Sequence, residues 1–238
     1  MKKIIVYIPI AFSLLYQISA QVNNSSDMGK QNVTLYFDGG IDTDAGNLNL
    51  SSVSYKEPKR VTEGDVYLFS KWEDAELYSK TGKKYKILGI NYNVKNDRFE
   101  IKVAKDSVFV IAPNYIDYVD VNDVLYKKYD KSVNNLEGYY EIVYKGNKLS
   151  LLKKHNVRLV KGKMNPLNGI VDPDKYYLYY DYYIQKVDQV KEIILKEKTI
   201  NKFLGNKIEL INKYVKSNNL SYKKEKDIIR ILEYYDSL

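Results

Sequence analysis

The chain has 238 residues, 45% of them hydrophobic, with 38 basic and 30 acidic side chains, one histidine and no cysteine. That inventory allows a buried core but excludes disulfides, thiolate nucleophiles, thiolate metal sites and the multi-histidine sets of the commoner zinc enzymes. The net charge of +8 is spread through alternating acids and bases, which argues against the basic groove of a nucleic-acid-binding protein.

In chain order, Lys2 and Lys3 precede the apolar run Ile4–Leu15, which gives way to small and polar residues ending at Ala20. This is the pattern of a secretory signal peptide, because the run falls short of the about 20 apolar residues that cross a bilayer. Cleavage is expected after Ala20, leaving 36 basic and 30 acidic side chains and no later transmembrane segment. Residues 21–32 are polar and are expected to form a flexible leader. Val33–Phe37 reads as a short strand, and the loop after it gathers Asp38, Asp42 and Asp44 with Gly46. Oxygen ligands on alternate residues beside a glycine form a candidate site for a hard cation such as calcium. The spacing departs from the EF-hand loop, and acidic turn chemistry is the plainer reading.

From Trp72 to Leu152, short runs of Val, Ile, Tyr and Phe alternate with turn residues, the pattern of an antiparallel β-meander. The expected strands are 75–79, 85–92, 98–104, 108–112, 116–121, 124–129, 139–144 and 148–153. Hairpin turns fall at Thr81–Lys83, Lys95–Asp97, Lys105–Asp106 and Lys145–Asn147. Strict alternation over Arg98–Val103 assigns Phe99, Ile101 and Val103 to a buried face, and Arg98, Glu100 and Lys102 to a wet one. Asp117, Asp120 and Asp123 are the carboxylates that a glycoside hydrolase would need in pairs, although on strands and turns such aspartates are usually solvated. His155 reads as an exposed histidine at a strand end.

Met164–Asp174, with two prolines and a glycine, is a connector. Tyrosine is abundant, at 25 against 6 Phe and 1 Trp, and it concentrates in Tyr176–Ile184. There Tyr177, Tyr179 and Tyr183 alternate with Tyr176, Tyr180 and Tyr182, so both faces are bulky and an interior or sheet-packed strand is expected. If exposed, these tyrosines together with Trp72 would make a platform for sugar rings or for another protein. Beyond Val187 the period lengthens. Val190, Ile193 and Ile194 fit a first helix, Ile208, Ile211, Tyr214 and Val215 a second, and Ile228, Ile231, Leu232 and Tyr235 a third that Ser221 can cap.

Several segments together carry a resemblance: Val66–Phe69 with Trp72, Thr81–Tyr85, Ile90–Val94 with Asp97–Glu100, Gly138–Val143, Leu149–Lys154 and Lys223–Tyr235. Over most of residues 60–238 the chain resembles an uncharacterised group of exported bacterial envelope proteins. The resemblance implies a signal peptide, a β-meander and a helical C-terminus, and brings no activity or site residue with it.

The expected fold is therefore α+β: an antiparallel meander, as a curved sheet or small barrel, over residues 33–187, then a small helical region over 188–238. Export to the periplasm, outer surface or medium, poverty in catalytic residue types and abundant Tyr favour a non-enzymatic envelope module that binds a protein or surface polymer without a cofactor. The alternatives are a carboxylate-dependent hydrolase of extracellular glycans and a soluble ligand carrier.

Overall fold

A computed structural model describes residues 50–54 and 62–238, apart from 106, 131–135, 165, 168–170 and 188. The expected signal segment, the leader, Val33–Phe37 and the candidate cation ligands Asp38, Asp42 and Asp44 all lie outside the described residues.

Among the described residues, twelve strands form a single sheet. They are β1 (Leu50–Ser54), β2 (Thr62–Glu63), β3 (Glu73–Ser79), β4 (Lys84–Asn93), β5 (Arg98–Ala104), β6 (Ser107–Ile111), β7 (Ile116–Val121), β8 (Val124–Tyr129), β9 (Gly138–Lys145), β10 (Ser150–Val160), β11 (Asp174–Lys186) and β12 (Gln189–Ile193). Three helices follow, α1 (Glu197–Leu204), α2 (Ile208–Ser217) and α3 (Glu225–Ser237), so the fold is α+β. None of the described helices is long and apolar enough to cross a membrane.

The expected turns at Thr81–Lys83, Lys95–Asp97 and Lys145–Asn147 do close hairpins, yet the eight strands do not make one continuous meander. The sheet order is β1-β6-β5-β4-β3-β7-β8-β9-β10-β11-β12, which is two meanders joined by a return. β1 occupies the outer edge of β6, so the chain leaves β6 through a short 3-10 turn at Pro113–Tyr115 and pairs β7 with the free edge of β3. Leu77 then faces Val119 and Ala75 faces Val121, which continues the apolar face without interruption. The sheet does not close, so the small-barrel form of the expectation is not adopted.

Two large apolar clusters form on this framework. The first collects Leu77, Ile87, Ile90, Tyr92, Phe99, Ile111, Val119, Tyr126 and Tyr139 from strands β3 to β9, with partly buried Val157 of β10 packed against it. The second packs Leu149, Leu151, Ile184 and Ile193 of the sheet against Ile200, Leu204, Ile211, Val215, Ile228, Ile231, Leu232 and Tyr235 of the helices. The stripes expected for the second and third helices are thus the buried faces of α2 and α3. Val190 and Ile193 belong instead to β12, which pairs with Tyr182–Lys186, and the first helix begins only at Glu197. The i, i+3 spacing imitated a helix. The free edge of β11 settles the matter, because it offers ladder bonds that a helix there would leave unused. Ser221 does not cap α3: it lies in the preceding turn, where its Oγ accepts the Lys223 N–H and its own N–H donates to Asp227.

Other ties hold the elements in place. Asp236 of α3 accepts from the Tyr144 hydroxyl at 2.9 Å and from the Asn147 and Lys148 N–H groups, while Lys148 Nζ donates to the Tyr235 and Asp236 carbonyls. A cation thereby satisfies the carbonyl end of the helix. At the other side of the sheet, the β4–β5 turn locks onto β9 and β10. The carboxylate of Asp97 accepts from the Tyr92 hydroxyl, the Tyr139 N–H and Lys154 Nζ.

Gly138 makes this lock possible. Its φ is +92°, and a Cβ there would run into the Asp97 carboxylate and Lys154 Nζ. Gly138→Ala is expected to destabilise the fold by about 1–3 kcal/mol, from left-handed strain plus displacement of the lock. Urea unfolding measures it, and an unchanged midpoint would contradict the assignment.

Candidate functional site

The ladder between β10 and β11 builds the region of interest, with Lys153 opposite Tyr182, His155 opposite Tyr180, Asn156 opposite Tyr179, Val157 opposite Leu178 and Arg158 opposite Tyr177. Alternation places Lys153, His155 and Val157 with Tyr182, Tyr180 and Leu178 on the face that carries the helices, and Arg158 with Tyr177 and Tyr179 on the opposite face.

On the helix side, a seam of charge separates the two large apolar clusters. Lys153 Nζ lies 2.9 Å from Glu141 Oε1 and 2.6 Å from Glu225 Oε2, so one ammonium ties β9 and β10 to α3. His155 Nε2 lies 2.7 Å from Glu141 Oε2, and the Tyr182 hydroxyl donates to Glu225 at 2.6 Å. The Tyr180 ring stands 5.4 Å from Lys153 Nζ. Burial alone would raise the Glu141 carboxyl, yet the His155 bond and the Lys153 charge outweigh it and hold the group below its ordinary value. Burial would likewise lower Lys153, and the Glu225 and Glu141 bonds reverse this, so its ammonium is held more firmly than usual. Burial and then the Glu225 bond push the Tyr182 hydroxyl up, keeping it a neutral donor.

This seam corrects one expectation. His155 is neither at a strand end nor exposed: β10 runs on to Val160 because β11 pairs with it throughout, and the imidazole is partly buried against Glu141. The charged sequence around it resembled the end of a strand. Glu141 and Glu225 are each engaged by donors within the protein, which is the arrangement of a structural ion network rather than of a carboxylate pair awaiting substrate. A second buried carboxylate corrects another. Glu100, expected on a wet face, is 0% exposed and accepts from the Tyr67 hydroxyl, Arg98 Nε and Asn93 Nδ2, whereas Val103 is exposed. These donors outweigh the alternation rule at this position.

The outward part of β11 carries the exposed aromatics. Tyr177 (43%), Leu178 (40%), Tyr179 (45%) and Tyr180 (54%) are consecutive and exposed, where sequence alternation had favoured packing. None of these four residues joins the cluster shared with the helices, and bulky side chains on both faces of β11 meet solvent. Arg158 and Lys175 each approach the Tyr177 ring at 5.9 Å. Tyr176 is half-buried, and its hydroxyl accepts from Lys95 Nζ at 2.7 Å. Tyr182 and Tyr183 are also half-buried, Tyr183 in an edge-to-face contact with Tyr140. Trp72 packs 5.2 Å from Tyr67 with Lys102 Nζ over its ring, and no described contact joins it to the tyrosine run.

The aspartates of β7 divide. Asp117 pairs with Lys127 at 3.0 Å, whereas Asp120 and Asp123 share a pocket of about 240 Å³ with Asp74, Glu76, Lys86 and Asn122. Burial and then the neighbouring Asp123 raise the Asp120 carboxyl. No group of three or more metal-ligating side chains occurs among the described residues. Comparison with protein-family models, with curated proteins and with solved structures gave no match.

Removing the seam's cation while keeping its aliphatic stem, Lys153→Met, leaves Glu141 and Glu225 without their shared partner and is expected to cost about 3–5 kcal/mol. In the parent chain, the contribution of the lowered Glu141 is present above its unfolded pKa and lost as pH falls through its folded value. That of the raised Lys153 and Tyr182 is present below their unfolded values and lost as pH rises through the folded ones. Unfolding midpoints across pH should therefore fall at both ends, with a shallower alkaline decline in Lys153→Met. Identical alkaline slopes would contradict the seam.

Proposed function

We propose that the chain is an exported, non-enzymatic binding module of the cell envelope that docks on a protein or surface polymer through the projecting tyrosines of β11. The observation carrying this reading is the unbroken exposed run Tyr177–Tyr180. Apolar and aromatic groups left together on a surface mark contact sites, and tyrosine combines contact area with a polar tip at low entropic cost. The leader pattern of residues 1–20 supports an exported location. The aromatic packing of Tyr92, Phe99, Tyr126 and Tyr139 fills the first core and speaks against a carrier that encloses its ligand there.

Tyr177→Ser with Tyr179→Ser tests the reading. Surface changes of this kind alter stability by only about 0.5 kcal/mol, whereas loss of a central contact weakens binding by about 2 kcal/mol or more, roughly thirtyfold. Pull-down from envelope extract should recover a component with the parent chain and lose it with the double variant at an unchanged unfolding midpoint. Recovery of bait alone, or equal recovery by both, would contradict the docking face.

One observation favours a glycan hydrolase instead: the raised Asp120 carboxyl beside Asp123 in an open pocket. The docking reading predicts that the protein releases no reducing ends from peptidoglycan or soluble cell-wall glycan. Release that disappears in Asp120→Asn would install the hydrolase in its place.

A further inference from the structure

On the side of β11 away from β10, β2 pairs in parallel with Asp174 and Lys175, and β12 pairs antiparallel with Tyr182–Lys186. Between these two strands, residues 176–181 have no strand partner among the described residues, although β10 holds their other side without a break. Gly64, at φ +83°, turns the chain away directly after β2 and lies against the Tyr176 carbonyl, so the open part of the edge runs from Tyr177 to Asp181. Such a notch is about 17 Å long, and along it alternate residues direct N–H and C=O groups outward.

Resting on the docking role proposed above, we infer that this notch receives an extended peptide segment of a protein partner, about five residues long, which adds as a strand between β2 and β12. Chain backbone is the chemistry that matches the notch, because its donors and acceptors repeat at the strand spacing that the edge presents. The same strand of a second copy does not fit, because β11 is 13 residues long and would collide with β2 and β12 at the two ends of the opening. The guest's alternating side chains would meet Tyr177 and Tyr179 on one face and Leu178 and Tyr180 on the other. Charge orients it. The β2 end carries Lys95, Arg158 and Lys175 around Tyr176 and Tyr177, with Glu63 against Lys175, while the β12 end carries Asp181, bonded by Asn156, and Lys153, whose charge Glu141 and Glu225 take up. An acidic residue in the guest belongs at the β2 end.

A displayed library of random heptapeptides, selected on the immobilised purified protein, tests this. Recovered peptides should alternate β-branched or aromatic residues and carry an acid near one end. Their binding should slow amide hydrogen exchange at alternate positions within Tyr177–Asp181 by about tenfold or more. N-methylating alternate peptide bonds of the guest, which keeps its side chains and removes its outward donors, should abolish both effects. Failure to select any peptide, protection confined to other segments, unchanged binding by the N-methylated peptide, or slow exchange in the free protein at those amides of Tyr177–Asp181 that face away from β10 would each overturn strand addition. If strand addition fails while envelope capture still depends on Tyr177 and Tyr179, the docking role survives without it. If that capture fails as well, both readings fall.

Discussion

One ammonium group organises the centre of this molecule. Lys153 stands between Glu141 of the sheet and Glu225 of α3, at the boundary between the strand-built core and the core shared with the helices. Each carboxylate has a further donor, His155 for Glu141 and the Tyr182 hydroxyl for Glu225, which is how so much charge is held away from water. Apolar contact alone brings the helices onto the sheet, since burial of Ile228, Ile231 and Leu232 is non-directional. The seam, together with the bonds from Tyr144, Asn147 and Lys148 to Asp236, adds direction and fixes where on the sheet the last helix comes to rest.

That fixed position has a consequence for the surface. The helices cover the end of β11 that contains Ile184 and stop short of the end that contains Tyr177–Tyr180. The same strand is thus core at one end and solvent-exposed at the other. Tyr182 marks the transition, with its ring on the helix side and its hydroxyl bound to Glu225. At the far end, Lys161 and the Gly162 N–H bind the buried Asp174 carboxylate, closing the base of the connector between β10 and β11. The exposed tyrosines are therefore carried on a strand anchored at both ends, and a rigid aromatic surface loses little entropy on binding.

Much of this was legible in the chain. Short turns with Gly, Asn or Asp between β-rich runs located the hairpins, and the stripes in α2 and α3 located their buried faces, because both patterns are local. What was hidden depends on distant partners. The return of β7 to β3 follows from β1 filling the edge of β6, about which residues 107–121 say nothing. The charged stretch Lys153–Arg158 reads as a strand end until β11 is placed beside it. Val190 and Ile193 have helical spacing and become strand through an edge formed elsewhere. Glu100 obeys strict alternation and is buried nonetheless, since its donors Tyr67, Asn93 and Arg98 are assembled by the fold. The tyrosine run had two bulky faces, and only the position of the helices decided that most of it would meet solvent.

The central claim is a division of the tyrosines into those that build the core and those presented outward on β11. Hydroxyl-radical footprinting of the purified protein, read residue by residue by mass spectrometry, tests it most directly. Tyr177, Tyr179 and Tyr180 are expected to be modified first, while Tyr92, Tyr126 and Tyr139 stay intact until the protein unfolds. Protection of the β11 tyrosines to the level of Tyr92 would contradict the account.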